Sequence, residues 1–154
     1  MKSKFELIIP PPGYALIMGL LMWLLNQYFP IVNFIESPWN RVGLALIVVA
    51  FSMDFSSLYL FFKKRTTPSP FSPKKASSLV ITGLYKYTRN PMYVGLLVIL
   101  TGYAIWLGSL SPFLLIPLFY WLITNMQIKP EEQILEEKFG REYLDYKNRV
   151  RRWL

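Results

Sequence analysis

The sequence predicts an all-α integral membrane protein with about four transmembrane helices, the last two a short hairpin, and a C-terminal amphipathic helix on the cytoplasmic face. Three observations predict this. Four apolar stretches contain one charged residue between them, Asp54; the basic residues gather on one side of those stretches; and the remaining polar chemistry collects in two blocks, 82–95 and 130–154. In so small a membrane protein, the chemistry must sit in those blocks.

A hydrocarbon core of about 30 Å needs roughly 20 helical residues. Residues 13–29 come close and extend through Ile31 and Val32, and residues 42–62 meet the length outright. The leading Met1-Lys2-Ser3-Lys4 resembles the start of a secretory signal. Pro10-Pro11-Pro12 interrupts the apolar run, however, and no small-residue cleavage pattern follows, so the first stretch reads as a retained anchor.

One domain, 1–154, then divides into a two-helix half (1–62), a cytoplasmic connection (63–81) and a C-terminal half (82–154). Residues 66–73 are proline-rich with no helical period. Residues 77–82 can run extended until Gly83 breaks the chain. Pro91 disfavours helical geometry at Asn90 and suits a first turn, so the third helix should begin at about Pro91. Residues 93–107 and 113–128 form a hairpin around 108–112. At about 1.5 Å per residue each arm spans some 22 to 24 Å, which allows a full crossing of a locally thinned bilayer or a re-entrant pair.

From Pro130 the chain predicts one amphipathic helix. Leu135, Phe139, Tyr143, Tyr146 and Val150 recur at spacings of four, four, three and four, opposite a charged face. Glu131 and Glu132 stand in its first turn, where carboxylates favour the positive end of the helix dipole.

Charge fixes the orientation, because cytoplasmic loops retain Lys and Arg. Of the 17 basic residues only Arg41 falls on the other side. Both termini and the long connection are therefore expected in the cytoplasm, in a multi-pass protein of bacterial inner-membrane type. The net charge of +8 follows from this rule and suits anionic headgroups, so it is not read as a nucleic-acid signal. The chain has no Cys, which excludes disulfides, thiol nucleophiles and thiolate metal sites. It has no His, which removes the commonest metal ligand and the side chain best suited to acid–base work near pH 7. No metal site is expected, and no obligate protein partner is inferred.

The two polar blocks carry a specific order of residues. Gly83-Leu84-Tyr85 precedes Arg89-Asn90-Pro91-Met92-Tyr93-Val94-Gly95; after the hairpin come Glu131-Glu132, Leu135, Phe139-Gly140, Glu142-Tyr143, Tyr146 and Arg149-Val150. This order resembles the isoprenylcysteine carboxyl methyltransferase family and its bacterial relatives, which belong with the membrane phospholipid methyltransferases. The resemblance runs from about Ser77 onward, about half of the chain.

The resemblance implies an S-adenosylmethionine site at the cytosol–membrane boundary, roofed by the connection and the tail helix, and a membrane lipid or other lipophilic acceptor. By position, Ser77, Ser78, Leu79 and Val80 fall where the family sets a loop against the cofactor, and Tyr85 matches a tyrosine that contacts it. Asn90, Pro91, Met92 and Tyr93 match an Arg-His-Pro-x-Tyr turn that holds the adenosyl part. Glu131 matches the acidic residue that binds the amino acid moiety.

Elementary chemistry agrees with those roles. A helix start at Pro91 leaves backbone N–H groups for a carboxylate or ribose hydroxyls, Tyr85 and Tyr93 offer faces for an adenine or a sulfonium, and Glu131 can pair with an ammonium. Each has a blander reading: interfacial belt tyrosines, an ordinary helix start, a favourable first-turn charge. Their joint occurrence in one order favours the site.

Two departures bear on the acceptor. The family's eukaryotic members have His where this chain has Asn90, which cannot titrate, and they place an Arg, implicated at the substrate carboxylate, where this chain has Gln127. The resemblance therefore does not carry over a prenylcysteine carboxylate acceptor. Methyl transfer from a sulfonium is an in-line displacement that a site can promote by aligning and desolvating the reactants. A carboxylate or thiolate acceptor needs no base; an amine or hydroxyl needs a proton acceptor, and the candidates are Glu132, Asp54 or a tyrosine. Intramembrane acids usually face a cavity, which places Asp54 at the acceptor; the resemblance implies Gln127 there by its position. Gly95 and Gly102 are expected to face the opening through which a lipophilic acceptor arrives. The alternatives are an NADPH-dependent membrane reductase of sterol-reductase type and a non-catalytic lipid-binding or scaffold protein.

Overall fold

A computed structural model describes residues 9–65 and 77–154. Lys2, Lys4 and the proline-rich segment 66–73 lie outside the described residues. Among the described residues every regular element is helical: α1 (Pro11–Tyr28), α2 (Val42–Lys63), α3 (Pro91–Leu107), α4 (Leu115–Ile123), α5 (Lys129–Phe139) and α6 (Arg141–Arg149). Short 3-10 turns at Trp39–Arg41, Gly83–Lys86 and Ser111–Leu114 lead into α2, precede α3 and lead into α4. Among the described residues two helical runs are long and apolar enough to cross a membrane, Trp39–Lys63 and Ser111–Phe139, and α3 is a shorter apolar helix.

The most extensive helix pair is α2 against α3. Its seam on α2 is Gly43, Ala50 and Ser57, all buried and seven residues apart. Gly95 and Gly102 face it from α3. A Cβ on Gly43 would strike the Gly102 carbonyl, and one on Gly102 would come 2.5 Å from the Gly43 carbonyl and 3.0 Å from Ile47. A Cβ on Gly95 would collide with the Asp54 carboxylate. Small residues let helix backbones approach closely in a membrane, where association depends on packing. The expectation that Gly95 and Gly102 border an opening is thereby corrected: both are closed against α2.

Helix α1 lies across α3 and α4 and closes the main core, where Met18 and Met22 meet Tyr93, Leu100, Phe119 and Ile123. At one end of the bundle the α1–α2 connection meets the α3–α4 turn. The Gly108 carbonyl accepts from the Phe34 and Ile35 amides at 3.1 Å each, and the Leu110 amide donates to Val32 at 2.9 Å. Gly108 makes this turn at φ +86, a left-handed conformation that glycine adopts without steric cost.

The tail differs from the predicted single helix. Helix α4 does not stop at Pro130; it passes through a π-helical turn, Thr124–Ile128, into α5. The wider i→i+5 turn ahead of Pro130 absorbs the hydrogen bond that a proline cannot donate. The break comes instead at Gly140, φ +50, and the apolar stripe is shared between α5 and α6. Leu79, Tyr143 and Tyr146 form a second cluster with Ile81, Leu135, Phe139 and Val150, so α5 and α6 fold down onto the segment after residue 77.

Candidate functional site

The site is built around the start of α3, where Pro91 occupies the first turn as predicted. Asn90 makes no side-chain cap there. Its side-chain amide donates instead to the Arg152 carbonyl at 2.8 Å, and its backbone N–H donates to Thr88 Oγ1 at 3.1 Å. The first-turn amides of Met92 and Tyr93 consequently have no partner among the described residues, so an anion or a hydroxyl oxygen can take them. Met92 is half-buried and Pro91 fully buried.

Tyr93 points inward from this turn, 7% exposed. Its hydroxyl donates to Glu131 Oε1 at 2.6 Å. The second carboxylate oxygen of Glu131 has no hydrogen-bond partner among the described residues. Because the helix runs unbroken through residue 131, this carboxylate sits at no free N-terminus. The reading of Glu131 as a first-turn charge therefore fails, and the carboxylate is left half-buried with one oxygen unspent.

Glu132 faces another way. It is 6% exposed, and Arg152 grips it bidentately at 2.9 and 2.8 Å while Arg89 approaches at 3.2 Å. The Glu132 bonds in turn hold Arg152 charged above its ordinary value. Both oxygens are engaged by guanidinium groups, so the expectation that Glu132 serves as proton acceptor is corrected to an ion-paired structural role.

The segment after residue 77 supplies the roof. Ser77 is exposed at the end of α2, where its hydroxyl donates to the Arg65 carbonyl at 3.3 Å, and Ser78 is half-buried. Leu79 is buried against the tail and Val80 is buried beside it in the chain, and Lys64 donates to the Leu79 carbonyl at 2.9 Å. Tyr85, also 7% exposed, meets Phe61 edge-on at 5.6 Å, and its carbonyl accepts from the Tyr146 hydroxyl at 2.7 Å. Burial pushes the Tyr85 phenol well up, and the nearby Tyr146, Glu131 and Asp54 oxygens push it further. Tyr85 is thus within electrostatic range of a carboxylate from α2 and one from α5. Neither Tyr85 nor Tyr93 is an interfacial belt residue, because both rings are enclosed by protein.

The two substrate-facing candidates lie on different walls. Asp54 reaches across the seam to Gly95, and its Oδ1 is buried without a partner. Gln127, fully buried in the π-helical turn, donates to the Ile9 carbonyl at 2.8 Å and leaves Oε1 unpartnered. Beside this region an open cleft of about 550 Å³ runs between α2 and the turn before α3, lined by Phe55, Ser56, Tyr59, Leu60, Gly83 and Leu84. Among the described residues no group of three acidic ligands could hold a metal ion.

Sequence reasoning gave no role to Thr88 or Arg152, and it quoted Arg89 in the motif around Asn90-Pro91 without assigning it one. Arg152 had no signal beyond a basic residue beside Trp153, and nothing in the spacing announced that Arg89 and Arg152 would meet over Glu132.

Protein-S-isoprenylcysteine O-methyltransferase of Schizosaccharomyces pombe is 28% identical over 149 residues, covering 88% of this chain and 63% of that protein. Protein-S-isoprenylcysteine O-methyltransferase B of Arabidopsis thaliana is 26% identical over 141 residues, 89% of this chain and 71% of that protein. An uncharacterized protein of Haemophilus influenzae is 48% identical over 63 residues, 41% of this chain and all of that protein. The chain spans less than two thirds of the length of the S. pombe relative. No solved structure matches. Residues 39–142, which contain α2, the turn at Pro91, the hairpin and the Glu131-Glu132 pair, match the sequence model of the phospholipid methyltransferases, and the chain belongs to that family of membrane methyltransferases.

Proposed function

We propose that this chain uses S-adenosylmethionine to methylate a lipophilic acceptor at the cytosol–membrane interface. The observation that carries the reading is the Tyr93–Glu131 pair: a carboxylate in mid-helix, oriented by a 2.6 Å hydrogen bond from a buried phenol, with its other oxygen unspent. Nothing in helix stability calls for such a group, whereas an ammonium would satisfy it.

The residues present fit the cofactor. Glu131 holds the amino group, the Met92 and Tyr93 amides take oxygen atoms, and Ser77, Ser78, Leu79 and Val80 form the loop above. Tyr85, Asn90 and Pro91 complete the wall. When bound, S-adenosylmethionine supplies a sulfonium methyl group to a nucleophile placed in line with it. The chain's own part is to hold that nucleophile in a dry setting. Asp54 Oδ1 and Gln127 Oε1 are both buried acceptors without partners, suited to a head group that presents N–H or O–H donors; Asp54 is placed to take the proton such a group releases.

The same proposal has four crossings with both termini in the cytoplasm, the orientation that the basic residues favour. The α3–α4 turn is hydrogen-bonded to the α1–α2 connection, so the hairpin reaches the same depth as the first helix pair. The open cleft beside Leu60 and Gly83 offers an acyl chain a lateral approach. A nicotinamide reductase and a non-catalytic lipid-binding protein remain distinguishable by one experiment. Titrating the purified chain with S-adenosylmethionine and with NADPH should give saturable binding of the first alone; saturation by NADPH, or by neither, would overturn the proposal.

A further inference from the structure

The last residues of the chain enter the site rather than trailing from α6. Beyond Arg149 the backbone turns extended, and Thr88 and Arg151 pair as a short parallel bridge. The Arg89 amide donates to the Arg151 carbonyl at 2.9 Å, Thr88 Oγ1 donates to the Arg152 carbonyl at 3.2 Å, and the Asn90 side chain donates to the same carbonyl at 2.8 Å. Trp153 then packs on the main core and lies 4.8 Å from the Tyr120 ring. Three elements far apart in sequence, the turn before α3, the start of α5 and the stretch after α6, are tied at Arg152.

We infer that Arg152 is a positioning residue of the cofactor site, acting through Glu132 and the turn 88–90, an inference that rests on the function proposed above. Successive residues of an α-helix point about 100° apart, so a clamp on Glu132 sets the direction in which its neighbour Glu131 presents its unspent oxygen. Arg152 supplies that clamp bidentately on one side of the Glu132 carboxylate, and Arg89, from the turn that carries Asn90 and Pro91, supplies the other. The backbone carbonyl of the same residue, which any substitution keeps, accepts from the Asn90 side chain, so the side-chain clamp on Glu132 is anchored beside the turn that opens α3. One residue therefore registers the carboxylate side of the site against the helix-start side. Removing it would leave Glu132 buried against Arg89 alone, a costly arrangement from which α5 escapes by rotating.

Arg151 provides the internal control. It is exposed, and its contribution is made by its backbone. S-adenosylmethionine binding to the purified full chain is measured by calorimetry for the parent, Arg151→Gln, Arg152→Gln and Arg152→Lys, with the thermal midpoint of each in the absence of cofactor. Arg151→Gln should bind like the parent. Arg152→Gln should raise Kd about tenfold, and Arg152→Lys should fall between, because an ammonium keeps the charge and loses the bidentate fork. A purely structural role predicts otherwise: fewer binding-competent molecules and a lower midpoint with Kd unchanged, which would overturn the inference. So would equal Kd values for the two Gln variants. If the parent itself binds no S-adenosylmethionine, the proposed function fails first and this inference falls with it.

Discussion

Replacing Glu131 by Gln is the sharpest perturbation the site offers. The amide keeps the size of the side chain and an oxygen for the Tyr93 hydroxyl, now 2.6 Å from Oε1, so the wall between α3 and α5 stays assembled. What is lost is the negative charge on the unspent oxygen. A hydrogen bond to a charged group contributes about 1.5 to 3 kcal/mol, which corresponds to roughly a 10- to 150-fold loss of affinity for S-adenosylmethionine. Folding should change little, since the helix runs on through residue 131 and no dipole term depends on it. Glu136→Gln is the control: Glu136 pairs with Lys147 at 3.0 Å, and the two side chains are 41% and 36% exposed. A pair so exposed contributes about 0 to 1 kcal/mol to stability and nothing to the cofactor. Calorimetric titration of both variants decides the matter. If Glu131→Gln binds like the parent, the ammonium role is refuted and the Tyr93–Glu131 pair is only a structural contact.

Asp54→Asn should leave cofactor affinity unchanged while lowering turnover on an amine or hydroxyl acceptor by about 10² or more, the usual worth of a positioned proton acceptor; single-turnover assays with a labelled methyl group on lipid extract would show it, and unchanged turnover would remove Asp54 from the chemistry. Gly102→Val should disrupt the α2–α3 seam, where the new side chain meets the Gly43 carbonyl and Ile47, with a cost of about 1 to 3 kcal/mol or more; a thermal midpoint equal to the parent's would refute the close approach. In this Cys-free chain, Ser37→Cys should react with an impermeant thiol reagent only from outside and Asn148→Cys only from the cytoplasm, and labelling of both from one side would break the four-crossing topology.

Much of the fold was legible because a bilayer demands long apolar helices and Pro and Gly punctuate them. Pro91 marked the start of α3 to the residue, since a proline suits a first turn and restrains the residue before it. The same rule misled at Pro130. There the chain carries its helix past a proline by widening one turn, and the residues of that turn, Thr124, Asn125, Met126, Gln127 and Ile128, have no local signature that distinguishes them from ordinary helix. The apolar stripe from Leu135 to Val150 was real, but periodicity cannot see a bend at Gly140 that leaves both pieces facing the same cluster. At the site, the residues with a motif around them could be named from the sequence, whereas the contacts that depend on the tertiary fold could not. Arg89 and Arg152 are 63 positions apart and meet only because the tail folds back; Gly95 and Gly102 looked like room for a ligand because a sequence shows that a residue is small and not what fills the space.

On the function proposed above, the charges around the site also favour one of the two cofactors considered. Arg89 and Arg152 are the guanidinium groups nearest the paired acids, and both are committed to Glu132. Lys64, the ammonium at the roof, donates to the Leu79 carbonyl. What remains beside the Tyr93 hydroxyl is acidic, the Glu131 carboxylate of α5. Such a niche attracts a ligand bearing an ammonium and a sulfonium. It opposes a dinucleotide phosphate, whose several negative charges would meet that carboxylate in a setting where charge interactions are poorly screened. Raising the salt concentration should therefore weaken S-adenosylmethionine binding only slightly, because the charges that hold it are largely enclosed, and it should not create measurable NADPH binding. A strong salt dependence of the S-adenosylmethionine affinity would place the recognising charge on the surface, away from Glu131.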